Sequence, residues 1–195
     1  MLRIILNNKF SFWALLAIPA VFMLVGYFTN AMPAIDLLHP TGEWSARMMV
    51  LAMMISPLMS VVGRHLWLNW LAQRRRAIGV AAFVYAVLHL IFYLIDMGNV
   101  DDIIAEFWAL GIWTGWAAML LFVPLAMTSN DASMRLLKAG WKRLQRLVYP
   151  TAILVLVHWI FIDNDLVPAL VHFIPLTLLV AARFFLTPKS KLKGT

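Results

Sequence analysis

Two histidines interrupt runs that are otherwise almost free of polar groups: His89 within AAFVYAVLHLIFYLI (81 to 95) and His158 within YPTAILVLVHWIFI (149 to 162). An ionisable side chain inside a membrane-length apolar segment is costly to keep and is therefore a functional candidate. Neutral imidazoles can ligate a metal or a haem iron, pass protons, or contact a transported substrate. The chain contains no cysteine, which removes disulfides, thiolate metal sites and the C-x-x-C-H attachment of a covalently bound haem. An iron site would have to use histidine. A proton relay calls for an intramembrane carboxylate, and every acid lies in or beside a loop. A secondary transporter calls for paired repeats with broken helices, and no convincing repeat is present. A haem ligand pair is the leading reading, with a small transporter and a haem-free membrane scaffold as the alternatives.

The elements that must position this pair follow from composition. Hydrophobic residues make up 63% of the 195 and charged residues 13%, with a mean hydropathy of +0.84; soluble domains run at roughly 45–50% apolar and about 25% charged. The expectation is an all-α integral membrane bundle forming one domain over 1–195, with apolar runs at 10–28, 44–62, 77–97, 107–127, 146–162 and 167–186 as six transmembrane helices. Bulky aromatics and a length beyond that of a signal-peptide core favour a true span for the first run.

Charge orients the bundle. If six spans alternate, all the cations but Arg47 fall on one side: Arg3, Lys9, Arg64, Arg74 to Arg76, the stretch from Arg135 to Arg146, Arg183 and Lys189 to Lys193. The acids fall on the other, apart from Asp131. By the positive-inside rule both termini of this multi-pass protein are cytoplasmic. The net charge of +7 needs no nucleic acid to explain it. Trp44, Trp108 and Trp159 near the outer boundary, and Trp13, Trp67, Trp70 and Trp141 near the inner one, fit interfacial belts.

The third and fifth runs are parallel. His89 lies thirteen residues beyond Arg76 and His158 twelve beyond Arg146, so at 1.5 Å per residue they sit roughly 20 and 18 Å from the inner boundary, at matched depth in the outer half. On the face of His89 lie Ala82 and Ala86, small enough to let a flat porphyrin approach the backbone. Arg47 has two readings: an i, i+4 pair with Glu43, or a guanidinium fork for haem propionates. Gly111 and Gly115, in GIWTG, read as a close helix contact. His39, beside Pro40 in an outer loop, reads equally as a cap of the second helix or as a binding group. His65 reads as a solvated interfacial residue, and His172 as a minor alternative ligand.

LLHPTGEWSARMMVLAMMISPL (37 to 58), RRRAIGVAAFVYAVLHLIFY (74 to 93) and TSNDASMRLLKAGWKRLQRLVYPTAILVLVHW (128 to 159) resemble the MsrQ, or YedZ, branch of the ferric reductase-like transmembrane family, over about residues 36 to 186. The resemblance rests on H-x-T-G at 39 to 42, R-R-x-x-G followed by L-H at His89, T-S at 128 and 129, and W-x-x-L with V-Y leading to His158. It implies an electron-transfer subunit of a bacterial inner membrane binding haem b, with His89 and His158 as ligands, fed from a cytoplasmic flavin reductase or from quinol. The implied acceptor is a periplasmic molybdopterin-containing MsrP-like subunit that reduces oxidised methionine in proteins; FMN or quinone are further cofactors to consider. There is no G-x-G-x-x-G and no nucleotide-binding domain, so a reduced nucleotide would be oxidised elsewhere. The family pattern has a further histidine where this chain has Gln145. One haem is therefore expected, where the pattern would allow two.

Overall fold

The computed structural model describes residues 8–186. Of the cations used for orientation, Arg3, Lys189, Lys191 and Lys193 and the side chain of Lys9 lie outside the described residues. Within them the chain is all-helical: α1 Lys9–Phe28, α2 Ala34–Val62, α3 Leu66–Met97, α4 Val100–Glu106, α5 Leu110–Met127, α6 Asp131–Leu137, α7 Ala139–Gln145, α8 Val148–Asp163 and α9 Leu166–Leu186. Six segments are long and apolar enough to cross a bilayer: α1, α2, α3, α5, the α7–α8 stretch and α9. The protein is multi-pass.

Helix ends follow local chemistry. Asn8 Oδ1 accepts from Phe10 N at 3.0 Å to open α1, and Asn99 Oδ1 accepts from Asp101 N at 2.9 Å to open α4. Gly98 closes α3 in the left-handed region at φ 61°. Two helices begin well before their apolar runs. The second starts ten residues before position 44, and the third eleven before position 77, so α3, with 32 residues, reaches about 48 Å and overshoots the roughly 30 Å hydrocarbon core. Hydropathy marks where the helix is apolar, while the polar NWLAQRRR stretch continues the same helix below the boundary. For the same reason His39 lies inside α2, not in an outer loop.

α2 and α3 form the most extensive pairing, α5 packs along α8, and α9 lies against α2. A shared core of Met49, Met53, Ala82, Phe122, Trp159 and Phe173 joins these five helices. In lipid, helix association rests on close approach and interhelical hydrogen bonds, each about 0.6 kcal/mol on average. Ser45 Oγ donates to Ala82 O at 2.9 Å. Arg75 Nε donates to Ala52 O and its Nη1 to Ser56 Oγ, both at 2.9 Å. Asp131, the acid among the basic residues, pairs with Arg76. The α1 helix sits at the edge, where the Tyr85 hydroxyl donates to Leu16 O (2.8 Å) and accepts from Ala20 N (3.1 Å). Trp159 departs from the belt reading: it is buried in the bundle, its Nε1 donating to Asp163 Oδ2 at 2.7 Å.

Candidate functional site

His89 on α3 and His158 on α8 meet. Their ring centres are 6.0 Å apart and their planes 81° to one another. Each ring is fixed by a backbone carbonyl of a neighbouring helix. His89 Nδ1 donates to Leu38 O at 2.9 Å, with Thr41 Oγ1 3.4 Å away; His158 Nδ1 donates to Gly111 O at 2.7 Å. A carbonyl can only accept, so both rings carry their proton on Nδ1 and keep the Nε2 lone pair for another partner. Donation from the second ring nitrogen is also the usual way a metal-binding histidine is oriented.

Glycines make the room. A Cβ on Gly42 would lie 3.2 Å from Nδ1 and Cε1 of His89, and one on Gly115 would lie 2.7 Å from Nδ1 of His158. Thus GIWTG packs α5 against α8 and also seats the second histidine, a role its spacing alone does not reveal. The H-x-T-G segment does the same for the first, through Leu38 O and Gly42.

Both histidines line a cavity of about 520 Å³, walled by α2, α3, α4, α5 and α8, within the range of small-molecule sites. Small residues Gly42, Ala46, Ala86, Gly115 and Ala118 form parts of its wall, and Glu43, Asp96, Glu106 and Asp163 also line it. An imidazole nitrogen binds a metal at about 2.0–2.1 Å, and ring centres 6.0 Å apart fit two imidazoles that would share one metal-centred group. Tyr93, another lining residue, has a buried hydroxyl with no hydrogen-bond partner among the described residues.

The remaining candidates separate. Ala86 lines the cavity, whereas Ala82 lies deeper, fully buried in the core and against a smaller cavity of about 60 Å³. Arg47 pairs with Glu43 and donates Nε to His172 Nε2 at 3.2 Å. His172 Nδ1 donates to Pro168 O at 2.7 Å, so both of its nitrogens are engaged. His39 lies between Asp163 (3.4 Å) and Glu43 (3.9 Å) at the cavity mouth. His65 is exposed at the α2–α3 connection. Gln145 ends α7, and its Nε2 donates to Leu125 O and Thr128 Oγ1, both at 3.1 Å.

Residues 41–156 match the family described as ferric reductase like transmembrane component. A protein-methionine-sulfoxide reductase heme-binding subunit MsrQ of Xanthomonas axonopodis pv. citri is 37% identical over 141 residues, covering 70% of this chain and 63% of its own length. The subunit of the same name from Azospira oryzae is 35% identical over 161 residues, 79% of this chain and 67% of its own; that from Xanthomonas campestris pv. campestris strain 8004 is 34% identical over 144 residues, covering 70% and 63%. The chain thus spans about two thirds or slightly less of these relatives' length. No solved structure matches.

Proposed function

We propose, because the chain belongs to the ferric reductase-like transmembrane family and to its MsrQ group, that it is a haem b membrane subunit that carries electrons between the two sides of a bacterial inner membrane. The observation that carries this reading is the imidazole pair itself: two rings of fixed tautomer, each with Nε2 uncommitted, with centres 6.0 Å apart beside a cavity of about 520 Å³. When bound, the haem would supply reversible one-electron chemistry, its potential tuned by its ligands and by burial. The protein's part is positional. His89 and His158 would hold the iron; Leu38 O and Gly111 O keep the rings turned and would raise their basicity as ligands. Gly42 and Gly115 let the rings lie against the neighbouring helices, and Ala86 leaves room for a flat face. Arg47 is held by Glu43, itself a lining residue, and by His172 on α9.

The relatives' names place them in a methionine sulfoxide reductase system. On that likeness the acceptor is a periplasmic molybdopterin-containing MsrP-like subunit and the donor a cytoplasmic flavin reductase or quinol. Charge supports the direction. Asp96, Glu106 and Asp163 line the site, whereas Arg74 to Arg76 and the basic stretch from Arg135 to Arg146 belong to the opposite, cytoplasmic end. With Gln145 engaged by α5 and only about 60 Å³ of space beside it, one haem per chain is the reading, and FMN or quinone would be the bridge across the inner leaflet.

A reduced-minus-oxidised visible spectrum of the purified protein, with pyridine haemochrome quantitation, tests this. A b-type signal is expected, and it should disappear in both His89→Ala and His158→Ala. A normal six-coordinate spectrum surviving in either variant overturns the pairing.

A further inference from the structure

Among the described residues the cavity has no Lys or Arg side chain in its wall, yet it is lined by Glu43, Asp96, Glu106 and Asp163. A haem brings two carboxylates of its own, and with no Lys or Arg among the described lining residues a neutral donor in the wall can meet one of them. Most polar side chains around the cavity are already committed: Ser45 Oγ donates to Ala82 O, Trp159 Nε1 to Asp163 Oδ2, and His39 lies between Asp163 and Glu43. Tyr93 is different. Its hydroxyl is the one buried side-chain polar atom without a hydrogen-bond partner among the described residues. A buried hydroxyl is rarely left unpaired, because losing water without gaining a partner is unfavourable.

Position adds to this. Tyr93 follows His89 by four residues on α3, so it lies on the same face one turn toward the acidic end. Its ring meets Trp116 edge-on, with centres 6.3 Å apart. Trp116 adjoins Gly115, which seats His158. The α3 and α5 walls of the cavity are thus in contact through this aromatic pair.

We propose that the Tyr93 hydroxyl is a cofactor-binding group that donates a hydrogen bond to a propionate of the bound haem. This rests on the haem reading above. Tyr93→Phe removes the donor and keeps the ring against Trp116, so the axial pair should be untouched. The expected result is an unchanged six-coordinate low-spin spectrum, a shifted propionate-bending band in resonance Raman, and haem transfer to excess apomyoglobin about two- to tenfold faster, the range that one hydrogen bond supplies. In the unmodified protein the same band should shift on exchange into D2O, a measurement that does not depend on the variant folding. A propionate band insensitive both to D2O and to the substitution, with unchanged transfer rates, overturns the proposal while leaving the haem reading intact. Unmodified protein with no haem overturns the reading beneath it.

Discussion

Adding one methyl group at Gly115 should be the most damaging small change at the site. The new Cβ would lie 2.7 Å from Nδ1, 2.8 Å from Cε1 and 3.4 Å from Cγ of His158. Carbon atoms pack at about 3.5–4.0 Å, so the ring must retreat by about 1 Å. It has no slack in that direction, because the same Nδ1 donates to Gly111 O on the same helix at 2.7 Å. Overpacking of this kind costs about 1–3 kcal/mol, and disturbing a buried hydrogen bond costs about 1–3 more. A combined loss of about 2–6 kcal/mol corresponds to haem retention weaker by roughly thirtyfold to more than ten-thousandfold. Gly42→Ala offers an internal comparison: its Cβ meets His89 at 3.2 Å, a gap that a shift of a few tenths of an ångström relieves, so its effect should stay below about 1.5 kcal/mol. Gly79→Ala, with nothing within 4 Å, should keep full haem and gain up to about 1 kcal/mol of stability as a helix-interior glycine. Haem per chain in purified protein, measured by pyridine haemochrome, reads all three. Full haem and an unperturbed spectrum in Gly115→Ala, or a Gly42→Ala defect larger than that of Gly115→Ala, would refute the claim that these glycines seat the ligands.

Haemochrome quantitation of the unmodified protein should return about one haem per chain, because Gln145 is tied to α5 and the adjoining cavity holds only about 60 Å³; a value near two would show that a second site forms there. Reporter fusions within 128–143 should read cytoplasmic and those within 98–106 periplasmic; the reverse pattern would place the haem near the cytoplasm. Lys138 joins α6 to α7 at φ 47°, ψ −120°, backbone that favours glycine, so Lys138→Gly should raise thermal stability by about 1 kcal/mol; a loss of that size would show that the lysine side chain holds the junction.

Much of this arrangement was readable from the residues, and for identifiable reasons. Apolar length fixes the number of spans, and nearly equal offsets from Arg76 and Arg146 anticipated that His89 and His158 would share a level, as their adjacent rings now illustrate. Helix limits were less legible, since polar residues of α2 and α3 continue helices beyond the apolar window. What orients the histidines was hidden as well. Leu38 and Gly111 act through backbone carbonyls, which no residue type advertises, and Gly115 carries the same spacing signal whether it faces a helix or an imidazole. Likewise Trp159 and a true interfacial tryptophan have the same distance from the boundary in sequence. Only the face of α8 that points inward, where Trp159 meets His172 of α9, separates them.

The hydroxyl of Tyr85 has a consequence for biogenesis. Leu16 O and Ala20 N, one helical turn apart in α1, both bond to a side chain that arrives some sixty-five residues later in the sequence. While only the first hairpin has left the ribosome, that side chain has not yet reached the bilayer, and lipid offers no substitute donor or acceptor. Until the third helix arrives, those two groups of the first helix can pair only with each other, beside Pro19. Since Tyr85 stands one turn from His89 on that helix, the step that gives the first helix this contact also brings His89 into place, ahead of His158 on the eighth helix.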